Sequence, residues 1–223
     1  MTSKRHQESQ KNSKPGLHSI GDAVTAVKAQ KGTKFDESVD FAIRLGLDVK
    51  KTDQSIRLST VLPCGTGKTK RIAVFAEGQM AQDAKSAGAD IVGCQDLFDN
   101  IKAGKIDFDV LISHPSHMAM VGKLGPILGP KGLMPNPKVG TVTADLTKSI
   151  KEVKSGRVQL RADKAGQVHG SFGRKSFSKQ ELVKNFEHVM STIIKHKPDS
   201  AKGKYLLSCS ISPTMGVGVQ VEL

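Results

Sequence analysis

Ile20, Ala23, Val24 and Val27 fall at helical spacing behind Ser19, a residue suited to the N-cap, and predict a helix over about 20–30 that Gly32 ends. The period then changes. Val39, Phe41, Ile43 and Leu45 alternate with Ser38, Asp40, Ala42 and Arg44, as a strand buried on one face requires, and a second strand is expected from Ser55 to Leu62, stopping at Pro63. A strand pair beside a helix is half of an α+β sandwich.

From Arg71 to Ala76 the run RIAVFA is almost continuously apolar, the mark of a strand covered on both faces. It is followed by helical spacing over 77–87, a short apolar piece at 90–92, a helix over 97–103, a buried strand at 108–113 (FDVLIS) and a helix opening at 118–121. Strand and helix in strict alternation imply a small parallel sheet with right-handed crossovers. Beyond a Gly- and Pro-rich stretch, a helix is expected over 146–154. Alternating strands follow at 157–162, 167–172, 205–211 and 217–221, with a long helix between them from Ser178 to Lys195. Ser178 and Glu181 have capping-box spacing, and Leu182, Val183, Phe186, Val189, Met190 and Ile193 share one face.

The half-buried antiparallel pattern of the start thus returns at the end. The fold class expected is α/β: an α+β split βαβ domain formed by both termini, plus an inserted Rossmann-like three-layer αβα domain. The expected boundaries are a flexible basic arm at 1–16, a discontinuous domain of 17–66 with 156–223, and an insertion at 67–155. Gly65, Gly67 and Lys68 at one crossing and Ser155 and Gly156 at the other are the expected hinge.

Charge adds to this partition. The chain carries 34 Lys and Arg against 21 Asp and Glu, a formal net charge of +13, and is a standing attractant for polyanions. The surplus is concentrated at the two ends, which carry +4 over 1–66 and +6 over 156–223, against +3 between them. Nucleic acid is the first partner implied, bound by the terminal domain. A membrane partner is not expected, because no run of 18 uncharged apolar residues occurs. The polar N-terminus lacks the apolar core of a secretory signal, so a cytoplasmic, reducing compartment is expected. Cys64, Cys94 and Cys209 are far apart and lack CxxC spacing, which argues against disulfides and zinc and predicts spectator thiols. No cofactor is implied. With no Trp, one Tyr and eight Phe, RNA recognition is expected through shape, backbone contacts and charge, without stacked aromatics.

The segment GTGKT (65–69) looks like the end of a phosphate-binding loop but fails the pattern: Leu62 stands where glycine is needed, and the segment precedes a strand where such a loop would follow one. His114 and His117 flank Pro115 and Ser116 in an expected loop turn, without the spacing of a catalytic motif. The sharpest signal is LGPILGPKGLMPNPKVGTVT (124–143), whose prolines and glycines specify a rigid, turn-rich path from which Lys131 and Lys138 project.

This stretch resembles the signature of the bacterial large-subunit ribosomal protein one family, the universal stalk-protein family. KFDESVDFAIRLGLDVKKTDQSIR (34–57), LPCGTGKTKRIAVFA (62–76), AGAD (87–90), DFDVLIS (107–113), HKPDSAKGKYL (196–206) and SPTMGVGV (212–219) are similar to it in order and spacing, from about Leu17 onward. The resemblance implies a non-enzymatic constituent of the large subunit that is monomeric when free and binds large-subunit rRNA at a stalk three-way junction. It also implies help in releasing exit-site tRNA and repression of the protein's own operon mRNA. Carried onto matching positions, the RNA surface falls on Lys34 and Phe35 and on Thr214, Met215 and Gly216. Lys164, His169, Lys175, Arg174, Arg157 and Arg161 are expected as supporting contacts.

Overall fold

The computed structural model describes residues 7, 8, 10, 16–48, 54, 56–201 and 203–223. The expectation of a flexible arm therefore falls mostly outside the described residues. In chain order the elements are β1 (Leu17–His18), α1 (Ile20–Ala29), β2 (Ser38–Leu45), β3 (Arg57–Val61), β4 (Ile72–Phe75), α2 (Gly78–Ser86), β5 (Ile91–Gly93), α3 (Gln95–Lys102), β6 (Val110–Ser113), α4 (Met118–Lys123) and α5 (Gly125–Leu128). They continue with α6 (Leu146–Lys154), β7 (Arg157–Arg161), β8 (Gln167–Arg174), α7 (Lys179–Lys195), β9 (Leu206–Pro213) and β10 (Val219–Val221). The result is a mixed α/β protein in two compact units, Met1–Gly67 with Val158–Leu223, and Lys68–Arg157. Among the described residues no helix is long and apolar enough to cross a membrane.

The first unit is built on a five-stranded sheet of order β1-β10-β9-β2-β8, antiparallel except for the parallel β1–β10 pair, with β3 and β7 paired separately. One sheet face buries Val39, Phe41, Ile43, Val168, Phe172, Cys209 and Ile211 in a core completed by Val24 and Val27 of α1 and Leu182, Phe186 and Val189 of α7. Phe41, Phe172 and Phe186 meet with ring centroids 5.4 to 6.5 Å apart, in tilted and edge-on packing. A side chain at Gly170 would strike the Phe41 ring and Leu160, so the bulky phenylalanine on β2 requires glycine opposite it on β8.

Two helix ends show local and tertiary control side by side. The predicted capping box of α7 is present: Ser178 Oγ accepts from Glu181 N at 3.2 Å and Glu181 Oε2 accepts from Ser178 N at 2.8 Å. α1 runs from Ile20 to Ala29 with Gln30 as its C-cap, close to the expected bounds of about 20–30 and two residues before Gly32. Gln30 leaves the helix because its side-chain amide pairs with both backbone groups of Val217, Nε2 donating to the carbonyl and Oε1 accepting from N–H, each at 2.8 Å. Two hydrogen bonds to a distant chain segment outweigh one more residue of helix.

Tyr205 and Cys209 make this core sensitive to alkali. Burial pushes the Tyr205 hydroxyl, which donates to Ile193 O, from 10.0 to about 12, and pushes the Cys209 thiol from 9.0 to about 12. Folded values above the unfolded ones mean stability fully present below pH 9 and lost as pH rises toward about 12. Urea melts between pH 9 and 12 are expected to show this loss, and Tyr205→Phe to flatten the part above pH 10.

The second unit has a three-stranded parallel sheet of order β5-β4-β6. β4 explains its own apolar run: Ala73 and Phe75 enter a core with Leu97, Ile101, Val121, Leu124 and Leu128, while Ile72 and Val74 enter another with Ala84, Leu146, Ile150 and Val153 on the opposite face. Each residue of a strand with two covered faces must be apolar. The helix expected over 97–103 is Gln95–Lys102, beginning two residues sooner because Cys94 leaves the strand directly into it.

Candidate nucleic-acid interface

β2 begins where β8 and β9 end, since Ser38 lies opposite Arg174 and Val39 opposite Pro213. Three loops, 31–37, 174–177 and 213–217, are thereby gathered at one end of the five-stranded sheet. Seven of the expected RNA residues (Lys34, Phe35, Arg174, Lys175, Thr214, Met215 and Gly216) fall in these loops, although 180 positions separate Lys34 from Thr214. Lys34 is exposed, Phe35 is 55% exposed and Met215 is 52% exposed, so the two large apolar side chains at this end face solvent and not the core.

Beneath them lies a buried clamp. Thr214 continues the ladder past β9: its N–H donates to Ser38 O at 3.0 Å, and its hydroxyl accepts from Ser38 N at 3.0 Å. Glu37, 2% exposed, accepts from Met215 N at 3.2 Å through one carboxylate oxygen and meets Lys175 Nζ at 3.3 Å through the other. Lys175 also donates to Gln30 O at 2.6 Å. Gly216 closes the cluster, because a Cβ there would collide with Gln30 Oε1 and the Pro213 ring. The structure thus places Lys175 inside the support of the loop, where its ammonium orders the backbone that presents Met215. Arg174 acts similarly, donating to Asp36 O at 2.8 Å, while Ser176 holds the Asp36 carboxylate through its N–H and hydroxyl.

The sheet face turned away from α1 and α7 is polar. Ser208, Ser210 and Ser212 of β9 lie opposite Arg44, Ala42 and Asp40 of β2, and on the other side His169 and Ser171 of β8 lie opposite Ala42 and Asp40. Hydroxyls thus recur every second residue, roughly 7 Å apart along β9. His169 is exposed and its Nε2 lies 3.5 Å from Asp163. Lys164 belongs to the β7–β8 turn at the other end of β2, where Gly166 O accepts from Leu45 N. Asp163 shapes that turn by accepting from the N–H groups of Gln167 and Ala165, and these bonds, the Gln167 one foremost, hold its carboxyl below the usual range. The residues that sequence reasoning missed are the three serines and Ser171, with Gln30 and Glu37 as supports. The alternation of Ser208, Ser210 and Ser212 with Cys209 and Ile211 was their signal.

Gly65, Gly67 and Gly156 have positive φ values of 71°, 67° and 103°, so the chain turns sharply at both crossings. Asn185 of α7, fully buried, anchors the first crossing: its Oδ1 accepts from Cys64 N, and its Nδ2 donates to Gly65 O and Phe172 O, at 2.8 to 3.0 Å. Asn185→Ala would strand buried backbone groups and is expected to cost about 2–4 kcal/mol in a denaturant melt. At the second crossing Ser155 caps α6, its hydroxyl donating to Lys151 O at 2.7 Å.

The Gly/Pro-rich stretch is half core and half surface. Leu124, Leu128 and Val139 are buried, whereas Lys131 and Lys138 are exposed. Asn136 organises its last turn by donating its N–H to Thr141 Oγ1 and accepting from Lys138 N. Arg157, expected as a surface contact, instead packs inward with its side chain 14% exposed, donating to Gly140 O at 3.1 Å and pairing with Glu152 at 3.3 Å.

A hydroxyl-bearing sheet face, flanked at one end by an exposed lysine, phenylalanine and methionine and carried on a strongly basic chain, has the chemistry of a polyanion-binding surface. The comparisons make this specific. The model of the ribosomal protein L1p/L10e family matches residues 27–217, and the chain belongs to that family, whose members are structural and non-enzymatic. It is 55% identical over 206 residues to the large ribosomal subunit protein uL1 of Polaromonas naphthalenivorans, covering 92% of this chain and 89% of that one. It is 54% identical over 222 residues to that of Nitrosomonas europaea, covering 99% and 96%.

Proposed function

We propose that this protein is a constituent of the large ribosomal subunit that grips rRNA at the stalk three-way junction with the end of its five-stranded sheet and the adjoining serine face. The observation that carries this reading is the convergence of Lys34, Phe35, Thr214 and Met215 over the buried Glu37–Lys175 pair. Each part has a chemical task. Lys34 meets phosphate, Phe35 and Met215 cover sugar or base, and the hydroxyls of Ser208, Ser210 and Ser212 reach 2′-OH groups and phosphate oxygens. His169 and Lys164 extend the contact along the sheet toward its far end, and Lys175 and Gly216 hold the loop in shape. The second unit presents Lys131 and Lys138 and is the part that attends exit-site tRNA, turning about Gly65, Gly67 and Lys68 on one strand of chain and Ser155 and Gly156 on the other. An operon mRNA that repeats the rRNA junction would fill the same surface, which makes repression a consequence of mimicry. The working compartment is the cytoplasm, on the ribosome.

Binding of the intact protein to a large-subunit stalk rRNA fragment as a function of salt tests this. Affinity is expected to fall as salt rises, and Lys34→Ala to reduce the slope by about 0.7–0.9 for a lost phosphate contact. Lys131→Ala with Lys138→Ala is expected to leave it unchanged. Loss of binding in the latter variant and none in the former would move the rRNA surface to the other unit.

A further inference from the structure

Glu77, Cys94 and His117 stand at the C-terminal ends of β4, β5 and β6, the three parallel strands of the second unit, and each directly precedes a helix: α2, α3 and α4. They are 17 and 23 residues apart in sequence, with no motif spacing; Cys94 was expected as a spectator thiol, His117 as a loop histidine and Glu77 as the start of a helix. In the folded unit one carboxylate oxygen, the Cys94 sulfur and one His117 ring nitrogen all lie within 4.8 Å of one another. Cys94 is 8% exposed, His117 is half-buried and Glu77 is open to solvent.

We propose that these three side chains form a binding site for a thiophilic divalent cation, Zn²⁺ in the first place, with a water molecule in the fourth position. The donor set is the argument. Thiolate, imidazole and carboxylate are the ordinary protein ligands of zinc, and three of them with one open position is a familiar count. Bonds of about 2.3 Å to sulfur and 2.0–2.1 Å to nitrogen at a tetrahedral angle place the two ligand atoms about 3.6 Å apart. Cys94 Sγ and His117 Nδ1 are already 3.7 Å apart. Glu77, on the exposed rim, closes the remaining distance by a side-chain rotation. A thiolate and a carboxylate supply two negative charges, which balance the ion. Cys94 binds as thiolate, and its proton leaves to solvent as the ion enters. The Met120 thioether, 3.9 Å from the Cys94 sulfur, adds a second soft atom beside the site.

The test is titration of the intact protein with Zn²⁺ alone by calorimetry, repeated with Co²⁺ as a spectroscopic stand-in. One equivalent is expected to bind with micromolar or better affinity, to raise the melting temperature, and in the Co²⁺ form to give a sulfur-to-metal charge-transfer band. Cys94→Ser and His117→Gln are each expected to weaken binding at least tenfold and the first to abolish the band, with Glu77→Gln weakening it less. Cys64→Ser is expected to change nothing. A band that survives Cys94→Ser, or equal Zn²⁺ binding by the intact protein and the folded Cys94→Ser and His117→Gln variants, would overturn the site, as would the absence of any stoichiometric binding.

Discussion

Replacing Thr214 and Met215 together with alanine is expected to weaken binding to the stalk rRNA fragment by about 100-fold while leaving the salt slope unchanged. Neither side chain is charged, so the loss must come from packing and hydrogen bonding and not from counterion release. Met215 is half exposed in the free protein and gains by being covered, and residues of this kind at the centre of an interface contribute about 1–3 kcal/mol each. Thr214 has a second role, because its hydroxyl accepts from Ser38 N. Its loss therefore costs the fold about 1 kcal/mol as well. Met215→Ala alone separates the two effects: weaker binding at unchanged stability is expected. Binding by the double variant equal to that of the natural sequence would remove this loop from the RNA surface.

The largest effect on stability is expected from Lys175→Met. Glu37 is buried and its carboxylate depends on Lys175 and Met215 N, so removing the ammonium leaves an uncompensated charge at a cost of about 3–5 kcal/mol. The same change frees the Gln30 carbonyl and the loop at 213–217, and rRNA affinity should fall with it. Adding Glu37→Gln to Lys175→Met removes the stranded charge and keeps a hydrogen-bond acceptor for Met215 N. Denaturant melts are expected to show most of the stability restored in that double variant. If Lys175→Met melts like the natural protein, the pair is a surface contact and not a clamp.

Much of the fold was legible because the local pattern and the tertiary environment agree. β2 runs from Ser38 to Leu45 as its alternation demands, α6 keeps its expected bounds, and the Ser178–Glu181 box opens α7, since each depends on groups within a few residues. Disagreement appears where a distant partner competes. Arg157 turns from the surface to Gly140 and Glu152. At the interface, Lys34, Phe35, Thr214, Met215 and Gly216 were reached through likeness to a family, and the serine face was visible in the alternation of β9 but unassigned. The supports were not legible. Nothing near Glu37 in the chain reveals that its partner is Lys175.

The sequence by itself determined the class of protein: its basic balance, the change of hydrophobic period from two to an apolar run and back, and the signature segments are all local properties of the chain. Only the tertiary structure decided which side chains share a site. Antiparallel pairing of β2 with β8 and β9 brings residues 34, 175 and 214 to one sheet end, and parallel pairing of β4 with β5 and β6 brings Glu77, Cys94 and His117 to another. The reason is that strand register, not chain spacing, sets distance across a sheet, and register is settled by the whole core at once.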